Sequence, residues 1–334
     1  MRYSWRHDLE AGLSGPAGDP ATWEHLRRVP KTDLHAHSLL SMPLEAVDAL
    51  AGRQVDRPPE RYTSFRHFTD SFRAIVGPWL SSLEAVRALT RAAFERMAAE
   101  GVVYAETSFE LFVAKAFELP MGDYARMLIE ERNRVAGRLD VCLELGFNRE
   151  RQPADVEPQL ARMLDEGVAG SLDLYGDETA APGRNFVKLY DLARRYGLKL
   201  KAHAGEFGGP EEVRESIEVL GLHAVHHGVH AIEDPEVIRF LTQRGTVLHV
   251  CPTSNVKLGV APGYASHPIR QLLEAGVAVT VNSDDFAFFG AGICDELRHL
   301  HHDCGLSVDQ VETVLVTGLR EAPAAIRERW LAMA

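Results

Sequence analysis

The chain has 334 residues, of which 36 are Lys or Arg and 48 are Asp or Glu, so its formal net charge is −12. This acidic excess argues against a nucleic acid or an anionic membrane as a partner, because either would favour a basic surface. Hydrophobic residues make up 46% and charged residues 25% of the chain, which is typical of a globular protein with a sizeable core. The length fits either two domains or one large α/β barrel.

The amino-terminal residues and the cysteines predict where the protein works. Residues 1–20 hold no apolar segment and carry several charged side chains, so we expect no secretory signal. No apolar run approaches the ~18 residues of a membrane span, so we expect no membrane association. The cysteines lack close C-x-x-C pairing, which is typical of a reduced, cytoplasmic protein; they are Cys142, Cys251, Cys294 and Cys304.

Short β-type runs follow one another along the chain, with helical patterns between most of them. The β-type runs cover residues 31–37, 102–109, 140–147, 170–176, 198–204, 224–229, 246–250 and 277–282. The helical patterns cover residues 81–100, 153–165, 184–196, 210–220, 235–244, 268–275 and 307–334. In the first of these, Ser81 and Glu84 predict a capping box, and Gly101 predicts the end of the helix.

This alternation predicts an α/β fold, the (β/α)8 TIM barrel, as a single metal-dependent domain over residues 1–334. Residues 43–80, after the first strand, form a predicted helical insertion. Its stripe of Phe65, Phe68 and Phe72 is expected to pack against a neighbouring element, with a lid over the substrate as the alternative. The alternative fold is an open doubly wound sheet, but no G-x-G-x-x-G motif follows a predicted strand.

A barrel enzyme carries its chemistry at the carboxyl ends of the strands, and the first strand ends in His35-Ala36-His37. Residues i and i+2 of a strand point the same way, so both imidazoles face the mouth of the barrel. Two neutral imidazoles suit a zinc-like divalent metal. By itself this pair is weak evidence, because the chain has 15 histidines.

Three further strand ends add chemistry-bearing residues. The fifth strand ends in the stretch 203–206 (HAGE), the sixth carries 226–228 (HHG), and the eighth is followed by 282–285 (NSDD). Each stretch alone has a structural explanation as a core histidine, a helix cap or a solvated loop. Together they supply three imidazoles and one carboxylate with a spare His and Glu, which is typical of metal-assisted hydrolysis.

The residue types suggest how such a site works. We expect Asp284 to bind the metal, and His227 to orient or deprotonate the attacking water. Asp285 is free to accept a substrate N–H, and a protonated Glu206 can donate to a ring nitrogen, which suits amine hydrolysis better than phosphoester cleavage. One metal ion is expected, because residues 171–176 hold no lysine that could bridge two ions.

The strand alternation also places charged side chains inside the barrel. Lys201 lies one layer below His203, and Glu144 and Asp173 point inward as well. The main interpretation is a structural ion pair of Lys201 with Glu144 or Asp173, because an unpaired buried carboxylate costs several kcal/mol. The alternative is that Glu144 binds a cationic amidine, guanidine or amino group of the substrate.

Several stretches resemble the adenosine/AMP deaminase family of barrel amidohydrolases: PKTDLHAH at 30–37, VVYAE at 102–106, LDLYGDE at 172–178, HAGE at 203–206, HG at 227–228, VCPTS at 250–254 and NSDD at 282–285. The resemblance implies one Zn²⁺ per chain, bound by His35, His37, His203 and Asp284. It further implies a proton donor, a water-handling residue and two contacts to a purine-like ring, namely Glu206, His227, Gly176 and Asp285.

The chain departs from this family where the substrate is recognised. Family members that act on nucleosides read Leu-Asp-Gly after the paired histidines, whereas this chain reads Ser38-Leu39-Leu40. Leu39 therefore replaces the acidic residue expected to hold a ribose hydroxyl, and it cannot accept a hydrogen bond. The family's Asp-Asp-Pro becomes Asp-Asp-Phe, so Phe286 is expected to line the mouth.

The sequence thus predicts a zinc-dependent hydrolytic deaminase that releases ammonia from an amino-substituted N-heterocycle, purine-like but not plain adenosine. Hydrolysis of a cyclic amidine or guanidine C–N bond on the same metal is an alternative. A second alternative is an adenosine deaminase proper, and a remote one is a catalytically silent ligand-binding barrel. The expected partner is a small-molecule substrate, without nucleic acid or membrane.

Overall fold

A computed structural model describes residues 3–331, whose strands form one eight-stranded sheet in sequential order. Each strand pairs in parallel with the next one along the chain. The strands are β1 (Lys31–His37), β2 (Val102–Glu110), β3 (Asp140–Asn148), β4 (Ser171–Tyr175), β5 (Lys199–Ala204), β6 (Ala224–His227), β7 (Val247–Val250) and β8 (Ala278–Val281). The sequential parallel order confirms the predicted (β/α)8 barrel.

The barrel closes where the chain beyond β8 meets β1. The backbone N–H of Asp284 donates to the carbonyl oxygen of His35 at 3.0 Å, and an isolated parallel bridge joins Asp284 to Ala36. The side chain of Asn282 adds a second connection, since its Oδ1 accepts the N–H of Leu34 at 2.8 Å. The side-chain amide of Asn282 therefore adds a hydrogen bond across the seam between β8 and β1, where an isolated bridge takes the place of a continuous backbone ladder.

Helices cover the outside of this sheet and connect its strands. They are α1 (Arg6–Ser14), α2 (Pro20–Arg28), α3 (Leu44–Ala51), α4 (Phe65–Ile75), α5 (Leu83–Ala99), α6 (Val113–Ala116), α7 (Met121–Val135), α8 (Pro153–Asp165), α9 (Val187–Arg195), α10 (Pro210–Leu220), α11 (Pro235–Arg244), α12 (Pro252–Lys257), α13 (Ile269–Glu274), α14 (Phe286–Phe289), α15 (Ile293–His302), α16 (Val308–Glu321) and α17 (Ala324–Trp330). No helix within residues 3–331 combines the length and the apolar character needed to cross a membrane.

Two sequence predictions about helices are wrong in detail. Helix α5 is capped by Ser82, whose Oγ accepts the N–H of Ala85 at 3.2 Å, so the predicted capping box of Ser81 and Glu84 does not form. The predicted helix 307–334 is two helices, α16 and α17, because Pro323 cannot donate a helical hydrogen bond. Residues 332–334 of that prediction lie outside the described residues.

The predicted insertion after β1 is present and consists of α3, α4 and a short 3-10 helix, Gly77–Trp79. It has its own hydrophobic cluster, in which Phe68 stacks on Phe289 at a ring-centroid distance of 5.5 Å and Phe72 contacts Phe288 at 6.3 Å. Because α14 follows β8, this cluster fixes the insertion above the seam between β8 and β1.

Candidate active site

A cavity of about 700 Å³ lies at the carboxyl ends of the strands. Its floor includes His203, His227 and Asp284 from three different strand ends. Phe65, Phe68 and Phe72 of α4 form part of its wall, together with many other apolar side chains. The aromatic stripe of the insertion therefore both packs in a cluster and faces the cavity.

Three histidines and one aspartate converge at the base of this cavity. One ring nitrogen each from His35, His37 and His203 lies within 4.8 Å of the others. Oδ1 of Asp284 is 3.8 Å from Nε2 of His35 and 3.6 Å from Nε2 of His37. The structure thus brings together the four residues for which the sequence predicted metal binding.

The hydrogen bonds of these histidines test whether a metal fits. Nε2 of His35 and Nε2 of His203 are buried without a hydrogen-bond partner. Nδ1 of His35 lies 3.3 Å from the carbonyl oxygen of His249, an arrangement that places the ring proton on Nδ1 and leaves the Nε2 lone pair for a ligand. Burial lowers the pKa of His35 and of His203 well below the usual value, which favours the neutral ligand form. The donor set fits a divalent metal.

The turn that carries Glu206 is held by a carboxylate and a guanidinium. Glu178 accepts the backbone N–H groups of Gly205 and Glu206, both at 2.8 Å. Arg149 donates from Nη2 to the carbonyl oxygen of His203 at 2.6 Å. No role for Glu178 or Arg149 was predicted from the sequence. Glu178 is, however, the last residue of the LDLYGDE stretch that resembles the family, and this was a signal that could have drawn attention to it.

The surroundings of Glu206 favour its protonated form, which a proton donor requires. Burial raises its pKa well above the usual value, and the nearby carboxylates of Asp284, Glu178 and Asp285 raise it further. A raised pKa favours the protonated form of a carboxyl. Oε2 of Glu206 lies 3.5 Å from Nε2 of His227, so the residues predicted as proton donor and as water-handling group lie side by side in the cavity.

His227 and Asp284 both adopt backbone conformations that are unusual for residues with side chains. Their φ angles are 62° and 55°, in the left-handed region, which costs about 1–3 kcal/mol per residue. Nε2 of His227 lies 3.8 Å from Oδ2 of Asp284. The strained turns at the ends of β6 and β8 thus bring these two side chains together.

Three of the five predicted substrate contacts line the cavity: Leu39, Gly176 and Asp285. Oδ1 of Asp285 is buried and has no hydrogen-bond partner, so it is available to bind a ligand. Gly176 has a φ of 101°, a conformation that strains a residue with a side chain, and a Cβ there would lie 2.8 Å from Oδ1 of Asn148. Ser38, next to Leu39, also faces the cavity with a buried hydroxyl that has no partner.

The other two predicted contacts, Glu144 and Phe286, do not line the cavity. Glu144 is fully buried below it, where it pairs with Lys201 and accepts a hydrogen bond from Ser171 Oγ at 2.7 Å. The ion-pair interpretation describes Glu144 correctly, and Lys201 has a second partner, Glu106, whose role was not predicted. The other oxygen of Glu144, Oε1, lies 3.3 Å from Nε2 of His226, so both oxygens of Glu144 have partners inside the barrel.

Phe286 turns away from the cavity to the guanidinium of Arg96, whose central carbon lies 4.3 Å from the ring centroid. Phe289, one helical turn later, lines the cavity instead. The prediction for Phe286 came from its place in the family motif, which does not show how the side chains of the short helix α14 are oriented.

Comparison with known proteins agrees with this geometry. A family model described as adenosine deaminase matches residues 30–330. The chain is 32% identical over 324 residues to an adenosine deaminase of Klebsiella pneumoniae, a match that covers 90% of this chain and 96% of that relative. The chain belongs to the adenosine deaminase family. As a member it is a hydrolytic deaminase, an enzyme that acts on C–N bonds.

Two further proteins that are similar to this chain are named adenine deaminases. One, from Cupriavidus metallidurans, is 33% identical over 288 residues, which cover 81% of this chain and 80% of the relative. The other is a crystal structure from Arthrobacter aurescens, 27% identical, with a TM-score of 0.83 over 91% of this chain and 97% of that chain. The family is metal-dependent, in agreement with the group of His and Asp side chains described above.

Proposed function

We propose that the chain is a zinc-dependent deaminase that releases ammonia from an amino-substituted, purine-like heterocycle without a ribose. One observation carries the proposal. The unpartnered Nε2 atoms of His35 and His203, the carboxylate of Asp284 and the raised-pKa carboxyl of Glu206 meet at the base of a single cavity.

The donor set supports one zinc ion per chain. Three imidazoles and one carboxylate are typical of a mononuclear zinc site, and they are His35, His37, His203 and Asp284. When bound, zinc supplies an activated water as the nucleophile at neutral pH. Glu106, Glu144 and Lys201 lie below this level and bond to one another, so we propose no second ion there.

The side chains around that position divide the remaining work. Glu206 donates its proton to the ring nitrogen next to the carbon that carries the amino group, while water adds to that carbon and ammonia leaves. Asp285 binds the opposite ring edge through its unpartnered Oδ1. Gly176 lies in the cavity wall, where its backbone N–H is available to a ring atom. His227 orients or deprotonates the attacking water.

The residues around Leu39 support a substrate without a ribose. A carboxylate there would gain about 1.5–3 kcal/mol from a charge-assisted hydrogen bond to a ribose hydroxyl. Leucine forfeits this bond, and burying the unpaired hydroxyl costs about 1–3 kcal/mol more. Adenosine is therefore expected to react at least about a hundredfold less efficiently than the true substrate. That two of the relatives above are adenine deaminases agrees with a free base.

The test is ammonia release from adenosine, adenine, other aminopurines, pterins and aminopyrimidines, with kcat/KM for each. We expect a non-nucleoside heterocycle to be the best substrate. Leu39→Asp should raise kcat/KM for adenosine, whereas Leu40→Asp, the same change at a neighbouring cavity residue, should not. Adenosine as the best substrate would contradict the inference from Leu39, and ring opening of a cyclic guanidine without ammonia release would contradict the deaminase assignment to this substrate class.

A further inference from the structure

A chain of buried hydrogen bonds leads from α13 to His227, on the side away from the cavity. It runs through two side chains that the proposed reaction does not use, Asn255 of α12 and His267 before α13. Asn255 is fully buried, and His267 is only 3% exposed. No role for either residue was predicted from the sequence.

The direction of each hydrogen bond in this chain is fixed by its first member. The backbone N–H of Ile269 can only donate, and it donates to Nδ1 of His267 at 3.1 Å. Burial lowers the pKa of His267 to about 4, so the ring is neutral and its single proton is on Nε2. That Nε2–H then donates to Oδ1 of Asn255 at 3.1 Å.

The same bond fixes the orientation of the amide. With its oxygen taken by His267, Asn255 presents its NH₂ group to the other side, where Nδ2 lies 3.2 Å from Nδ1 of His227. Nδ1 of His227 must therefore accept, and the proton of the neutral ring is on Nε2. Nε2 lies 3.5 Å from Oε2 of Glu206 and 3.8 Å from Oδ2 of Asp284, at the reacting centre.

We propose that Asn255 and His267 are positioning residues that hold His227 in the Nε2–H tautomer, so that it meets the reacting water as a hydrogen-bond donor. The sequence left two roles open for His227, orienting the water or deprotonating it. A ring whose Nε2 already carries a proton orients the water by donation and takes no proton from it. The inference rests on the proposed function only for the identity of the water, because the tautomer can be measured without substrate.

The experiment reads the tautomer directly. Zinc-loaded protein labelled with ¹⁵N-histidine is studied by two-bond ¹H–¹⁵N correlation, and the His227 signals are assigned by their loss in His227→Ala. The unaltered protein should show a protonated Nε2 and an unprotonated Nδ1. Asn255→Asp should move a proton to Nδ1, because a carboxylate oxygen at that position can only accept.

Two variants of His267 separate hydrogen bonding from packing. His267→Leu removes the hydrogen-bond donor to Asn255, so the amide of Asn255 can turn and the Nδ1–H tautomer of His227 should appear. In this variant kcat should fall by about 10- to 100-fold, whereas the metal content should stay unchanged and KM should change little. His267→Gln offers an N–H at the position of Nε2 and should restore the Nε2–H form. His301→Leu is the matched control, a half-buried histidine on α15 whose Nδ1 lies 2.8 Å from the carbonyl oxygen of Leu306.

Each outcome decides the proposal. An Nδ1–H tautomer of His227 in the unaltered protein overturns it, and so does an unchanged tautomer in both Asn255→Asp and His267→Leu, whatever happens to kcat. A protein that shows the expected tautomers but deaminates no heterocycle supports the relay and contradicts the proposed function. If His267→Leu does not fold, Asn255→Asp still gives the decisive reading.

Discussion

The histidines at the mouth of the barrel are proposed as metal ligands because they lack hydrogen-bond partners. Nε2 of His35 and Nε2 of His203 are buried without such a partner, and a buried polar atom left in this state costs about 1–3 kcal/mol. A bound cation would remove this cost, and the nearby carboxylate of Asp284 would supply a further donor.

Replacing His203 by Ala should remove the metal and the activity together. The zinc content after dialysis should fall from about one ion per chain to nearly none, because the site loses one of its three imidazole donors. His223→Ala is the control, because this exposed histidine only accepts the N–H of Leu200 through Nδ1. Full zinc occupancy in His203→Ala would remove this residue from the ligand set.

Replacing Glu206 by Gln should keep the metal and lower turnover. The amide has the size of the carboxyl but cannot transfer a proton, and general acid–base catalysis contributes about two to four orders of magnitude. The measurement is kcat with zinc content determined on the same sample. Glu211→Gln, an exposed change in the first turn of α10, should leave both values unaltered. If Glu206→Gln keeps its turnover, another group is the proton donor.

At the scale of elements, the seam between β8 and β1 positions much of the site. Asn282 accepts the N–H of Leu34 at 2.8 Å and donates to the carbonyl oxygen of Val250 at 3.2 Å and to Thr280 Oγ1 at 3.0 Å. It thereby links three strands just before the chain turns into Asp284. The predicted strand ended at Asn282, but only the closed barrel shows this role.

Replacing Asn282 by Ala should destabilise the protein and weaken metal binding. The N–H of Leu34 and the carbonyl oxygen of Val250 lose a buried partner, so the free energy of unfolding should fall by about 2–3 kcal/mol. Urea unfolding measures the first effect, and competition with a chelator measures the second. Asn133→Ala, on an exposed position of α7, is the control. Unchanged zinc affinity in a destabilised Asn282→Ala would show that the seam does not position Asp284.

For the molecule as a whole, buried carboxyl groups outside the site make stability depend on pH. Glu296 of α15 is buried, and this burial raises its pKa from 4.5 to about 8, with further contributions from Asp295 and Asp284. One oxygen accepts the N–H of Thr253 at 3.0 Å, and the other has no partner. The folded protein therefore binds a proton that the unfolded chain releases above its ordinary pKa.

The sign of the effect follows from this difference in protons. Between about pH 4.5 and 8 the folded state holds more protons than the unfolded state, so the contribution of Glu296 to stability falls as pH rises. Glu296→Gln lacks this dependence and should gain stability over the unaltered chain toward pH 8 in urea unfolding. Glu328→Gln, exposed on α17, should follow the unaltered chain at every pH. A constant difference between Glu296→Gln and the unaltered chain would mean that Glu296 is ionised in the folded state.

The sequence alone was sufficient to predict the eight strands, the insertion and the polar side chains that converge at the mouth of the barrel. Strand alternation shows which side chains point inward, and parallel strands place all their carboxyl ends at the same mouth of the barrel. The proximity of His35, His37, His203 and Asp284 could therefore be predicted from the sequence. The single domain over residues 1–334, the cytoplasmic location and the single zinc ion stay predictions.

The hydrogen-bond partners of the polar groups follow only in part from the sequence. An ion pair of Lys201 with Glu144 or Asp173 was the main prediction, with a substrate contact of Glu144 as the alternative, and strand periodicity does not choose between them. The additional partner Ser171 became known only from the folded chain. Phe286 was expected at the mouth from its place in the Asp-Asp-Phe motif, which does not show how the side chains of the short helix α14 are oriented. Asn255 and His267, which lie after β7, meet His227 at the end of β6 only in the folded chain. Periodicity is a local property of the chain, whereas hydrogen-bond partners depend on distances between elements that are far apart in sequence.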